Sequence, residues 1–155
     1  MSKPILILYG SVTGNSEHCA DKAADAARAR GYDVTIEDMA RTSPQVLRDF
    51  TTALIITSTY GDGDPPDGTE DFHRGVVQEK NMLLTHLRFC VLALGDRNYD
   101  QFCKTGKDYD ETLELLGATR FHPRTDCDWD FDDASDAWVE GVFTALAEDR
   151  MLLAA

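Results

Sequence analysis

Ile5-Leu6-Ile7-Leu8-Tyr9-Gly10-Ser11-Val12-Thr13-Gly14-Asn15-Ser16 decides how the rest of the chain is read. Its first half is apolar without alternation, the pattern of a strand covered on both faces by helices. Its second half is a glycine-bounded polar turn that leads into an alanine-rich helical stretch, Asn15 to Arg30, closed by Gly31. A glycine there supplies a left-handed C-cap. Cys19, Ala20, Ala23, Ala24 and Ala27 recur at helical spacing, a stripe of small side chains that lets the helix lie close to a sheet. Strand, tight polar loop and helix in this order start an α/β unit.

Two further runs repeat the non-alternating pattern, Ala53-Leu54-Ile55-Ile56-Thr57 and Phe89-Cys90-Val91-Leu92-Ala93-Leu94. Tyr32 to Glu37 alternates, Val34 and Ile36 against Asp33, Thr35 and Glu37, as an edge strand does. A fifth strand is expected within Thr119 to Asp128. Helices are expected near Pro44–Phe50, Thr69–Lys80, Thr105–Leu116 and Asp133–Glu148, the last burying Trp138, Val139, Val142 and Leu146. Strands and helices alternate throughout, which implies a parallel sheet with right-handed crossovers. The 155 residues suffice for one domain, taken as 1–155.

Composition narrows the partners. The formal net charge is −13, which disfavours nucleic acid and anionic membranes and favours a protein with a basic face. No apolar run reaches the ~20 residues of a membrane span. Cys19, Cys90, Cys103 and Cys127 form no Cys-x-x-Cys pair and no zinc spacing, and a reducing cytoplasm is expected. Asp126-Cys127-Asp128-Trp129-Asp130 opens like a calcium loop but has Phe131 where glycine belongs and Ala137 where glutamate belongs. No metal is expected.

In doubly wound folds, ligands sit beyond the carboxyl ends of the strands. Three loops fall there. After the first strand, Gly10 to Ser16 offers hydroxyl and amide donors and a free helix start, a phosphate cradle without Lys or Arg. It matches neither a Walker loop nor Gly-x-Gly-x-x-Gly. After the third strand comes Ser58-Thr59-Tyr60-Gly61-Asp62-Gly63. After the fourth comes Leu94-Gly95-Asp96-Arg97-Asn98-Tyr99, followed by Phe102 and Cys103. Tyr60 and Tyr99 each leave a central strand at the same sheet end. Two rings so placed can sandwich a flat heteroaromatic ring. A phosphate cradle and a ring sandwich together describe a mononucleotide, and FMN is the natural candidate.

On these residues the chain resembles the flavodoxin family, most closely the FMN domains of diflavin reductases of the sulfite reductase flavoprotein and cytochrome P450 reductase type. Ser11-Val12-Thr13-Gly14-Asn15-Ser16 is similar to the family's phosphate loop. The loops carrying Tyr60 and Tyr99 are similar to its two flavin-stacking loops. Gly106-Lys107-Asp108-Tyr109-Asp110 and the spacing from Asp126 to Trp138 resemble the sulfite reductase type, with Asp126 where that family has an acid beside the flavin. The resemblance implies a flavodoxin-like doubly wound five-stranded parallel sheet in order 2-1-3-4-5 with helices on both faces. It implies a non-catalytic electron carrier, and Asp62, Asp64, Asp96 and Asp126 in or near the site imply a low potential. Diflavin reductases continue into FAD- and NADPH-binding domains, whereas this sequence ends at Ala155. Electrons are therefore expected from a separate NAD(P)H-dependent flavoprotein reductase, to be passed to an acceptor protein by a monomer. The alternatives are an FMN-dependent NAD(P)H:quinone reductase and a detached FMN subunit of a two-component reductase. A response-regulator receiver shares the strand order but needs an aspartate after the third strand, where this chain has Thr57-Ser58-Thr59.

Overall fold

The structure, a computed structural model, describes residues 4–11 and 13–154, with the side chains of 150–154 left aside. Val12 falls outside the described residues. The elements alternate as the hydrophobic runs predict: β1 Pro4–Gly10, α1 Asn15–Ala29, β2 Asp33–Asp38, a 3-10 turn at Pro44–Arg48, and β3 Thr52–Ser58. A short α2 at Glu70–His73 runs into a π-turn at Arg74–Gln78. Then come β4 Arg88–Leu94, α3 Lys104–Leu115, β5 Thr119–Arg120, β6 Thr125–Cys127 and α4 Asp132–Ala154. The sheet is parallel in order β2-β1-β3-β4-β5, and β6 also pairs with β4.

The continuous apolar runs are explained by two cores, one on each face of the sheet. Ile5, Ile7, Leu54, Ile56, Cys90 and Leu92 point to one side, where α1 and α4 cover them with Ala20, Ala24, Trp138 and Phe143. Leu6, Leu8, Ala53, Ile55, Phe89 and Val91 point to the other, under Phe72, Val76, Tyr109 and Leu113. Side chains alternate across a strand, so each strand of the centre must be apolar at every position. The edge strand β2 is half-buried along most of its length, with Asp33 exposed, because α1 crosses only part of it.

Three elements depart from expectation. The helix expected near Pro44–Phe50 is a five-residue 3-10 turn, Pro44–Arg48. The helix expected at Thr69–Lys80 is a single α-turn followed by a π-turn. It ends at Lys80, whose φ of 51° is left-handed. Gly75 in that turn lies against Pro44, where a Cβ would come within 2.7 Å of the proline Cγ. The last strand is split. β5 pairs with Arg88 and Phe89, and β6 pairs with Leu92 to Leu94. Pro123, which lacks an N–H for the ladder, lies in the interruption. Asp110 of α3 clips both halves, its two oxygens accepting Arg120 Nε and Arg124 Nη1 at 2.7 Å each.

Candidate functional site

All four loops that line the site leave the sheet at its carboxyl end. The first begins at Gly10, where a Cβ would come to 3.0 Å from Thr57 Oγ1 and 3.2 Å from Met39 Sδ, so a larger residue there would press on these side chains. Gly14 caps α1 at φ 90° and has no side chain with which to satisfy the free N–H groups of the first turn. Ser11 Oγ accepts the Gly14 N–H at 2.8 Å and braces the turn. Ser16 is fully buried, and its hydroxyl shares a 2.7 Å hydrogen bond with Ser58 Oγ, which joins the first loop to the second.

The second loop is a closed ring on Tyr60 and Asp64. Tyr60 N–H donates to Asp64 O at 2.7 Å, and Asp64 N–H donates back at 2.9 Å. Gly61 and Gly63 take positive φ inside it. The start of α3 supports this loop. Thr105 N–H donates to Thr59 Oγ1 at 3.0 Å, and Thr105 Oγ1 donates to Asp64 O at 3.1 Å. Gly63 is held so close to Lys104 and Gln101 that a Cβ would come to 2.8 Å from Lys104 Cδ. Lys104 in turn bonds Asp108, which also meets His73 Nε2 at 3.0 Å. Burial works to raise the Asp108 pKa, but these two hydrogen bonds outweigh it and hold the carboxyl below its ordinary value.

In the third loop Asp96 folds its own turn, its carboxylate accepting the Asn98 N–H at 2.9 Å. Gly95 lies directly over Cys103, whose N would be 3.0 Å from a Cβ. Cys103 caps α3 in the left-handed region at φ 58°, and its buried thiol points at the carbonyls of Ala93 and Cys127. Burial pushes that thiol up to about 12. Arg97 reaches back over the Phe102 ring, 5.5 Å from its centroid, and stays mostly in solvent.

Together these loops enclose an open cleft of about 290 Å³. Thr13 and Asn15 line it from the first loop, Ser58, Thr59, Tyr60 and Gly61 from the second, and Leu94, Gly95, Asp96 and Tyr99 from the third. Ser11, Gly14, Ser16, Asp62, Gly63, Arg97, Asn98, Phe102 and Cys103 frame or brace those loops rather than line the cleft. Asp126 is turned elsewhere, its Oδ1 accepting Arg124 Nε at 2.8 Å. A fourth loop, after β6, contributes Asp128, Trp129 and Phe131 to the wall. The sequence reading assigned none of these three to the site and left Trp129 open between a place near the flavin and one packed under a loop; its position in an acidic loop after the last strand was the available signal.

The donor set suits a phosphate-bearing planar cofactor. Hydroxyls, an amide and a free helix start lie at one side, no Lys or Arg among the described residues lines the cleft, and two half-exposed tyrosine rings, Tyr60 at 49% and Tyr99 at 45%, stand at the other. Beside Gly61 the space for a Cβ is open. Among the described residues no group of His, Cys, Asp and Glu is arranged for a metal, and no helix is long and apolar enough to cross a membrane.

This fold and loop arrangement define a flavodoxin-like domain, and the family model described as Flavodoxin matches residues 7–140. The chain belongs to the flavodoxin family, whose members are electron-transfer flavoproteins. It is 43% identical over 148 residues to the sulfite reductase [NADPH] flavoprotein alpha-component of Bacillus subtilis, and 38% identical over 145 residues to that of a Shewanella species. The alignments cover 96% and 94% of this chain and 24% of each relative, so the chain spans about a quarter of their length. Among solved structures it is similar to a flavodoxin of Streptococcus pneumoniae, with a TM-score of 0.79, 28% identity and coverage of 91% of this chain and 98% of that one. It is also similar to oxidised Flavodoxin 2 of Bacillus cereus, with a TM-score of 0.82, 26% identity and coverage of 94% and 99%.

Proposed function

We propose that the cleft binds one FMN without a covalent bond and that the protein carries electrons between partner proteins. The observation that carries this reading is the convergence of a cation-free phosphate loop and two tyrosines on one cleft. When bound, FMN supplies the redox chemistry, and the protein supplies position and electrostatics. Thr13, Asn15 and the first N–H groups of α1 would hold the phosphate. Tyr60 and Tyr99 would flank the ring. Gly61, with open space beside it, leaves its backbone free to approach the ring's polar edge. Asp96 and Asp128 line the cleft, and Asp62 and Asp64 stand close by, so the field around the ring disfavours added negative charge. Asp126, paired with Arg124, adds less to that field than the sequence suggests.

The exposed acids of these loops, Asp62, Asp64, Asp67 and Asp100, suit partners with basic faces. The donor on this reading is an NAD(P)H-dependent flavoprotein reductase. The relatives' name points to sulfite reduction as an acceptor system. Four buried free cysteines fit a reducing cytoplasm, and a carrier serving more than one partner works as a monomer through a small interface.

The test begins with the visible spectrum of the purified protein and the chromophore released on denaturation, where one FMN per chain is expected. Rapid mixing with a reductase then follows electron transfer, which should slow as salt rises. A colourless protein that takes up no added FMN refutes the cofactor reading. Turnover of NADPH with a quinone and no second protein refutes the carrier reading in favour of a quinone reductase.

A further inference from the structure

We propose that Asp128 is a positioning residue that fixes the width of the cleft, and that the neighbouring Trp129 forms a third aromatic wall against the bound ring. The proposal rests on the FMN reading above. Asp128 Oδ1 accepts two main-chain N–H groups from different loops, that of Arg97 at 3.2 Å and that of Trp129 at 2.8 Å. Its Oδ2 stands 3.7 Å from Arg97 Nε. The side chain is 22% exposed, so these charge-assisted bonds are partly sheltered from water.

The same seam is stitched beside Asp128. Gly95 N–H donates to Cys127 O at 2.9 Å, and the Cys103 thiol aims at that carbonyl. The Tyr99 loop therefore hangs from the β6 loop by its own backbone, whatever the exposed Arg97 side chain does. Tyr99 lies two residues beyond the first N–H that Asp128 holds, and Trp129 carries the second. Asp128 thus adds a side-chain tie to this backbone seam, at the point where it joins the loops of two rings of one cleft.

Trp129 is 75% exposed, an unfavourable place for an indole in the free protein. It nevertheless lines the same cleft as Tyr60 and Tyr99, and a planar occupant would cover it. From β1 to β6 the path across the sheet is three strand spacings, about 14 Å. Asp128 and Trp129, at the end of β6, therefore stand across the cleft from the phosphate loop and act on the ring, whereas Phe131 further along the same loop returns to α1 and packs edge-on against His18, 6.5 Å between ring centroids.

The test measures dissociation constants of FMN and riboflavin by flavin fluorescence for the wild type, Asp128→Ala, Asp128→Asn and Trp129→Ala, with circular dichroism melts of each apoprotein. Asp128→Ala should weaken both flavins by about tenfold and by the same factor, because the latch acts on the ring they share. Asp128→Asn keeps an oxygen for both N–H groups and should stay within about threefold of the wild type. Trp129→Ala changes an exposed ring that cannot disturb the fold, and should weaken both flavins about tenfold. If Asp128→Ala and Trp129→Ala each bind riboflavin within twofold of the wild type, the inference is overturned while the FMN reading stands. A loss confined to FMN also overturns it, since that loss would lie at the phosphate. A wild-type chain that binds no flavin sinks the cofactor reading itself.

Discussion

Gly106→Ala sets helix propensity against packing, and the structure says which wins. Gly106 is in the first turn and a half of α3, buried against β4. A Cβ there would be 2.3 Å from Ala93 Cβ and 3.2 Å from Ala93 Cα. Neither atom is the loose end of a side chain. Ala93 sits mid-sheet, paired with Thr57 on one side and Asp126 on the other, so β4 cannot retreat and α3 must lift. Overpacking of this kind costs about 1–3 kcal/mol, and the rigid partner puts it at the upper end. Replacing glycine by alanine in a helix returns about 1 kcal/mol. The net is a loss of about 2 kcal/mol, which lowers the urea midpoint by roughly 1 M at an m-value of about 2 kcal/mol/M. Gly141→Ala in α4 is the control. Its Cβ meets only the ring of His122, at 2.4 Å, and that ring can turn aside. It should be neutral or stabilising by up to about 1 kcal/mol. Urea unfolding of the apoproteins reads both. An unchanged or raised midpoint for Gly106→Ala would refute the packing argument, because propensity alone gives that sign.

Three further outcomes are expected. Asp108 is held below the ordinary carboxylate pKa by His73 and Lys104, so its contribution to stability is full above pH ~4 and is lost as pH falls through that value toward its folded pKa. The gap in melting temperature between wild type and Asp108→Asn should therefore be open at pH 6 and close toward pH 3; a gap constant over that range contradicts the assignment. The four cysteines are buried, with burial pushing Cys103 to about 12 and Cys127 to about 11, so an aromatic disulfide reagent at pH 8 should find no thiol in the native protein and four after denaturation. Fast labelling of a native thiol would show that a cysteine-bearing loop opens. FMN should bind at least as tightly at 0.5 M as at 0.05 M salt, because salt screens the acidic field, while riboflavin stays flat; calorimetry showing strong salt weakening of FMN would reveal a cation in the phosphate site.

The centre of the fold was legible because burial on both faces leaves a mark that survives without neighbours: Ile5–Tyr9, Ala53–Thr57 and Phe89–Leu94 admit no charged position and no alternation. The split of the last strand was not legible in the same way. Its two halves are two and three residues long, too short for a period, and they are held by a clip from Asp110 to Arg120 and Arg124 that spans 10 and 14 positions of sequence. The same distance effect governs the acids. Asp126 and Asp128 stand two apart, and spacing alone favours neither. Arg124 takes the first and the Arg97 and Trp129 N–H groups take the second, so only Asp128 faces the cleft. Tyr60 and Tyr99 were readable because each directly follows a strand whose end is known; Trp129 follows a strand whose end was not.

Charge poses the remaining physical question. The chain carries a net −13, and the cleft lining has no Lys or Arg. On the proposed reading it holds a phosphate dianion against its own field. A helix N-terminus contributes about half a unit of positive charge, confined to its first turn. The glycine at the cap of α1 leaves that turn's N–H groups uncapped by any side chain of its own, so they remain available to an outside acceptor. Neutral donors bond a phosphate at short range without cancelling the acidic field at longer range. A lysine in the first loop would bind the phosphate more tightly, but its full charge, screened over a Debye length of about 8 Å to 10 Å, would reach toward the acids after β4, about 10 Å across the sheet. Holding the phosphate by dipoles keeps the two ends of the cleft electrostatically separate: anchoring at β1, and a negative field at β4 and β6, about 10 Å and about 14 Å away across the sheet.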